Sequence, residues 1–561
     1  MQRAHRRGVV VTRCSERRRG VLGDTAVRAG ARPRGSGACP LLLLVALCAA
    51  SCWAAPQAAR DEDESVRPPA VAGRFYPADA ATLRRAVETL VRQARPVRTG
   101  DAVAVVAPHA GYVYSGQIAA DALVYAAAAR PEVVVVLGAN HTGPPVHGFA
   151  LHPGRAFRTP LGEVVIDAAL NAALRGAGVG AAADAAPHRD EHSIEVQLPF
   201  LQVIAPGAPI LPVIVGTRDP DQAARFGRAL AAALGTRRAM IVASSDLSHY
   251  PTARDATRVD MRTLDAFARF DRDGALEAER EAAAGHTPNL VTAACGLGPV
   301  LVAMSAARAL GATHGTVVSY ANSADTAIGE AERVVGYGAV VYSRGAATPS
   351  TPPASPPHAT REGSTRDAPT PMPPTNPSGH LPDAERQALL HLARATIAQF
   401  LESQTLPLAR DVPPALATRR QGAFVTLKAH GQLRGCIGRI VEEGPLPQLV
   451  ARVAFEAAFR DPRFSPVTRQ ELDRIELEVS VLTAPRRVPS AEAIVTGRDG
   501  VVLRRSGRSA VFLPQVATEQ GWTREQLLDA LCEKAGLAPG CWLGAELSTF
   551  QAEVFGEHQA R

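Results

Sequence analysis

Apolar runs divide this chain before any single residue does. Ala102–Pro108, Glu132–Ala139, Ile210–Gly216, Met240–Ser245 and Val334–Ser343 are nearly unbroken stretches of β-branched and small apolar residues. A strand with one wet face alternates apolar and polar positions, whereas a strand covered on both faces does not. These segments therefore read as buried strands. Alanine-rich stretches at 81–93, 117–129, 221–234, 255–283 and 299–310 carry apolar residues at helical spacing between them. That alternation predicts an α/β domain, a parallel or mixed sheet with helices on both faces.

The pattern breaks after residue 345. Ten of the thirty-four positions in 346–379 are proline, which makes an extended, semi-rigid spacer with no core-forming pattern. A helical stretch near 383–402 follows. Short strands come next, in AFVTLKAHGQLRGCIG, IELEVSVL and GVVLRRSGRSAVFLP, and TREQLLDALCEKAG reads as a closing helix. This order predicts a second, α+β domain. The 561 residues exceed one core. They divide into a leader over 1–66, a first domain over 67–344, a linker over 345–379 and a second domain over 380–561.

Charge changes the picture only at the start. The chain carries +7, but residues 1–60 hold eleven arginines against Glu16 and Asp24, so the remainder is slightly acidic. No basic footprint for nucleic acid is left, and aromatic residues at 5% provide few stacking platforms. Pro40–Ala50 (PLLLLVALCAA) is too short to span a bilayer and suits the apolar region of a signal peptide. AAS before Cys52 has the character of a lipoprotein cleavage site, and Arg17, Arg18 and Arg19 permit a twin-arginine signal. The expectation is export to the periplasm, with a membrane contact only through an N-terminal lipid anchor. Without a working signal the protein is cytoplasmic.

Cysteine usage narrows the chemistry. Four of the eight cysteines lie in the leader, and Cys295, Cys436, Cys532 and Cys541 are too scattered for a disulfide framework. No CxxC pair occurs, and no CxxxCxxC iron–sulfur triplet occurs outside the leader.

The histidines follow the strands. His109 lies in APHAGYVYSG, His141 in VVVVLGANHTG and His249 in IVASSDLSHY, while Cys295 stands in the small-residue turn TAACGLGP. Open α/β sheets place their crevice at the carboxyl ends of strands. Imidazoles and a thiolate gathered there would hold a borderline or soft transition metal. His109, His141 and Cys295 are the candidate ligands. The bland alternative for each is a hydrogen-bonded structural histidine or an inert buried thiol. Asp246 and His249, three apart, would share one face of a helical turn, the carboxylate tuning the imidazole as a general base. HRDEH fits the inverted zinc-peptidase pattern, with His188 and His192 as ligands and Glu191 as base. A non-catalytic module whose crevice binds a peptide or protein is a further alternative.

Taken together, PPAVAGRFYP, APHAGYVYSG, VLGANHTG, HRDEHSIEVQLPF, IVASSDLSHY and the Cys295–Gly296 pair resemble the Memo family over residues 68–344. The resemblance implies the fold of class III extradiol dioxygenases, metal ligands at His109, His141 and Cys295, and a catalytic-type His249 beside Asp246. The dioxygenase relatives use a carboxylate where Cys295 stands. That difference argues against ring cleavage itself and favours iron in a softer site, or copper; what the resemblance implies is a metal-dependent, dioxygenase-like oxidoreductase. Residues 382–557 resemble the AMMECR family through LRGCIG, AAFRDPRFSPV, ELEVSVL, LPQVATEQGW and LCEKAGL. In this second domain Arg434, Cys436, Asp461 and Arg463 form a candidate cluster: Arg434 would lower the thiol's pKa and make it nucleophilic, or the group is a structural turn. Memo-like and AMMECR-like proteins occur with a radical-SAM protein in the AmmeMemoRadiSam association. The missing iron–sulfur motif implies that any such partner is a separate chain.

Overall fold

The computed structural model describes residues 65–96, 99–345, 380–441 and 444–557. The leader up to residue 64, where an export signal is expected, and the linker from 346 to 379 lie outside the described residues.

In the first half the strands run β1 (Val66–Arg67), β2 (Asp101–Ala107), β3 (Val133–Ala139), β4 (Phe149–Leu151), β5 (Ala156–Thr159) and β6 (Gly162–Val165). They continue with β7 (Ala181–Ala183), β8 (Ile210–Val215), β9 (Ala239–Ser244), β10 (His314–Asn322) and β11 (Gly336–Arg344). Eight of them form one sheet in the order β10-β11-β2-β9-β3-β8-β4-β7. The central run β2-β9-β3-β8 is parallel, and β11 joins it antiparallel at β2. The sheet is thus mixed and the fold is α/β. The continuous apolar runs supply both faces. Val133, Val135 and Leu137 enter one core layer, while Val134 and Val136 enter the other. The helix Leu297–Ala309 packs on the first layer and the helix Tyr112–Ala129 on the second.

The elements depart from the sequence reading in places. The stretch 255–283 is two helices, Ala253–Ala268 and Arg272–Ala283, because Asp271 caps a new start by accepting from the Gly274 amide. The strand β10 was not expected, since polar residues interrupt its apolar positions (HGTVVSYAN).

The second half holds β12 (Ala423–Ala429), β13 (Gln432–Arg439), β14 (Ile475–Leu482), β15 (Arg486–Arg487), β16 (Gly500–Arg505), β17 (Arg508–Phe512), β18 (Glu546–Phe550) and β19 (Ala552–Gly556). One antiparallel sheet runs β13-β12-β14-β19 and a second runs β15-β18-β16-β17. The two-residue turn His430–Gly431 closes the β12–β13 hairpin with φ of 52° and 76°, as a twisted hairpin demands. The helices Asp383–Ser403 and Leu446–Phe459 cover the first sheet. The helix Arg524–Lys534 does not close the domain: β18 and β19 follow it. It carries Cys532, which is disulfide-bonded to Cys541, a bridge that the spacing did not single out, and Cys295 and Cys436 are free. Among the described residues no helix is long and apolar enough to cross a membrane.

The two halves touch. Leu392, Leu406, Ala451 and Phe455 of the second half share an apolar cluster with Ala327 of the first. Arg410 donates to the buried Asp121 carboxylate at 2.7 Å and to the Ser319 hydroxyl at 2.8 Å.

Candidate metal centre

The strands β2, β9 and β3 lie side by side and parallel, so their carboxyl ends open on one edge. His109 follows β2, Asp246 and His249 follow β9, and His141 follows β3. Cys295 reaches the same place from the N-terminus of the helix Leu297–Ala309. Its neighbour Gly296 makes that approach possible, because a Cβ there would lie 2.3 Å from the Ser244 carbonyl oxygen.

Three imidazoles converge. One ring nitrogen from each of His109, His141 and His192 lies within 4.8 Å of the others, a grouping able to hold a metal ion. The Cys295 sulfur is 3.2 Å from His109 Nε2. His192 was the residue missed as a member of this set. Its signal was present in HRDEH but pointed to a different partner.

The rings of His109 and His141 are anchored through Nδ1, and His192 Nδ1 lies beside Glu191. Ser244 Oγ donates to the Ser193 carbonyl at 2.6 Å and accepts from Gln197 Nε2 at 2.9 Å. With its proton so placed, that hydroxyl accepts from His109 Nδ1 at 3.0 Å, which leaves His109 Nε2 as a lone pair. Glu191 Oε1 lies 3.0 Å from His141 Nδ1 and 3.3 Å from His192 Nδ1. The Glu191 side chain also accepts from the backbone amides of His141, His192 and Ser193. Burial alone would raise its carboxyl, but the hydrogen bond from His141 and the charge of His141 and His192 hold it below the usual carboxylate range. Burial, aided by neighbouring histidines, keeps His109 well below the usual imidazole value. Burial likewise brings His192 to about 4, against the pull of Glu191. Neutral imidazoles with a fixed tautomer are the form a metal binds.

Asp246 and His249 are not on a helical turn. The segment after β9 stays extended, with His249 in a bridge to Val335, and the next helix starts at Ala253. Asp246 Oδ1 instead accepts from the His109 amide at 2.7 Å, and burial pushes its carboxyl up. His249 Nδ1 donates to the Leu247 carbonyl at 2.9 Å. Tyr250 next to it has φ 74°, a costly conformation for a bulky residue, held by its amide on the Val334 carbonyl at 2.6 Å and by Arg333 over its ring.

The peptidase reading of HRDEH fails on geometry. His188 ends a 3-10 turn and His192 begins a separate helix, so the two never share a helical face. His188 is buried against His152, with Nε2 bonded to the Ala150 carbonyl at 3.1 Å. Glu191 is the cap between them rather than a free base.

The second-domain candidates are also gathered. Asp461 accepts from the Cys436 amide at 2.9 Å and from the Arg463 guanidinium at 2.7 Å. Arg434 pairs with Glu471 at 3.0 Å and not with the thiol, and burial pushes the Cys436 thiol up rather than down.

Fold and site together define an α/β protein with a three-histidine crevice at its strand ends. Residues 67–341 match the Memo-like protein family and residues 390–555 match AMMECR1. A MEMO1 family protein of Methanosarcina mazei is 36% identical over 282 residues, covering 49% of this chain and 98% of its own. One from Aquifex aeolicus is 39% identical over 280 residues, covering 49% and 99%. Among solved structures, an uncharacterized protein from Pyrococcus horikoshii is 37% identical with a TM-score of 0.29, covering 31% of this chain and 91% of its own. The chain belongs to the MEMO1 family and carries an AMMECR1 domain besides.

Proposed function

We propose that the first half is a mononuclear transition-metal redox centre, with iron as the ion and copper as the other candidate. The observation that carries this is the convergence of three imidazole nitrogens within 4.8 Å, with the rings of His109 and His141 hydrogen-bonded elsewhere through Nδ1. His109, His141 and His192 would hold the ion. The Cys295 sulfur beside His109 Nε2 adds a soft donor, which suits iron or copper better than a hard cation. When bound, such an ion supplies a redox-active Lewis acid with positions open to substrate or oxygen.

The protein's own groups do the rest. Glu191 and Ser244 orient the rings. His249 Nε2 is left as a lone pair by the bond at Nδ1, so His249 would take or give a proton. Asp246 is a positioning residue: it fixes the backbone at His109 rather than the ring of His249. A cleft of about 330 Å³ lined by Asn140, His147, Thr217, Arg218, Cys295 and Pro299 opens beside the centre and would admit a small polar substrate. The Cys532–Cys541 bridge supports the exported, oxidising setting expected from the leader.

The test is elemental analysis of anaerobically purified protein. Wild type is expected to bind one equivalent of iron or copper. His192→Ala and His109→Ala are each expected to lose most of it, with unchanged secondary structure. A folded wild type that takes up neither metal, or a His192→Ala protein that binds as the wild type does, overturns the proposal.

A further inference from the structure

The loop between β10 and β11, residues 323–335, has two ends that serve different halves of the chain. Its outer end enters the second half. Ala327 is 1% exposed, and the neighbouring Ile328 packs in the same apolar cluster, with Leu392, Leu406, Ala451 and Phe455. The Phe455 ring lies 4.9 Å from that of Phe400 and 5.2 Å from that of Phe459. The inner end of the loop is the bed of the His249 segment. The Tyr250 amide donates to the Val334 carbonyl at 2.6 Å, the Ala253 amide to the Ala331 carbonyl at 2.8 Å and the Val334 amide to the Pro251 carbonyl at 2.9 Å. His249 itself is bridged to Val335, and Val334 packs with Ala253 and Ala256.

The two ends are tied together. The Ser323 amide donates to the Val335 carbonyl at 2.9 Å, and the Ser323 hydroxyl accepts from the Val335 amide at 3.2 Å. The chain then doubles back. The Thr326 hydroxyl donates to the Ser323 carbonyl at 2.8 Å, and a Cβ at Gly329 would lie 1.8 Å from that same oxygen. A displacement of Ala327 is therefore carried through Ser323 and Val335 to His249. Loops ordinarily move more than the strands they join. This one has to be still, because Tyr250 stands at φ 74°. Such a conformation persists only where its surroundings over-determine it, and Tyr250 is held by Val334 and Arg333 of the loop. The apolar cover of Ala327 comes from the second half, with Val113 as the first half's share.

We propose that the second half is the support of His249: its apolar cluster seats Ala327 and Ile328, the seated loop holds Tyr250 in its strained turn, and His249 is thereby kept at the strand ends. Ile328 and Phe455 act as positioning residues. The proton-carrying role of His249 rests on the metal-centre reading; the mechanical link to the second half does not.

Hydrogen–deuterium exchange of the full chain tests it, read by mass spectrometry on peptides covering 247–253, with those covering 133–139 of the central strand β3 as the control. Phe455→Ala is expected to speed exchange over 247–253 roughly ten-fold or more, while 133–139 stays within about two-fold of wild type. Phe455→Leu keeps an apolar contact and should return the wild-type rate. Gly329→Ala breaks the fold-back of the loop without touching the core of the second half, and should speed exchange over 247–253 likewise. The ring signals of His249 in NMR, assigned through His249→Gln, should move towards those of free histidine in Phe455→Ala while those of the buried His188 hold. Unchanged exchange over 247–253 in Phe455→Ala, an equal rise over 133–139, or His249 signals indifferent to both variants would each overturn the proposal. Exchange is read without added metal, so a chain that takes up neither iron nor copper defeats the metal proposal alone.

Discussion

At the scale of single residues the centre depends on what stands behind the imidazoles. Glu191 stands beside two rings and accepts from four amides at once. Replacing it with Gln removes the charge behind His141 and His192 and turns one of its two accepting oxygens into a donor, so one pair of amides loses its acceptor. Metal affinity, measured by chelator competition, is expected to fall roughly ten- to hundred-fold. Unchanged affinity would remove Glu191 from the account. The neighbouring pair His152 and His188 sets a pH limit. Burial holds His152 near 4 and His188 near 3. Below the unfolded value of about 6.5 the unfolded chain takes up protons that the folded chain refuses, so stability falls as pH drops from there towards those values. Each unit of difference is worth ~1.4 kcal/mol. His188→Gln should flatten that slope in urea unfolding; an unaltered slope would count against it. His109 and His141 were legible in the sequence because they directly follow strands. His192 was not, because its role depends on a turn at Glu191 that brings a distant segment to the strand ends, and a short motif cannot reveal that.

At the scale of elements, a buried clamp holds the segment that delivers His192. Glu195, at the end of its short helix, takes hydrogen bonds from Arg67, from the hydroxyl of Tyr76 and from the amides of Ala70 and Val71. Arg67 also donates to the carbonyls of His188 at 2.9 Å and Glu191 at 2.6 Å. Side chains of Arg67 and Glu195 are 2% and 0% exposed, so Glu195→Ala leaves a buried charge without its partner. A loss of about 3–5 kcal/mol in denaturant unfolding is expected. A loss below about 1 kcal/mol would mean the clamp is not intact in solution. The sheet itself could be read in advance, since continuous apolar runs with helices between them leave few other arrangements. The nine-residue β10, broken by polar residues, could not, nor could the three-residue β4 and β7 and the hairpin β5–β6, because strands so short carry little pattern.

At the scale of the molecule, the two family matches are joined by more than a linker. The helices Ala80–Arg92 and Asp383–Ser403 pack together, and Gln93 donates to Gln399 at 2.9 Å. Removing the guanidinium in Arg410→Ala strips a buried ion pair from Asp121. Calorimetry should then show two separated unfolding transitions where wild type shows one, and a wild-type trace already split in two would contradict the docking. The division at the proline-rich stretch could be read from composition, but the contact across it could not, because it rests on scattered residues such as Val113, Ala327 and Phe455. The central claim remains the shared grip of three imidazoles on one ion. X-ray absorption of the iron-loaded chain tests it most directly: the outer-shell scattering characteristic of imidazole is expected, weakened by about a third in His192→Ala. Iron bound without imidazole scattering, or a spectrum indifferent to His192, would contradict it.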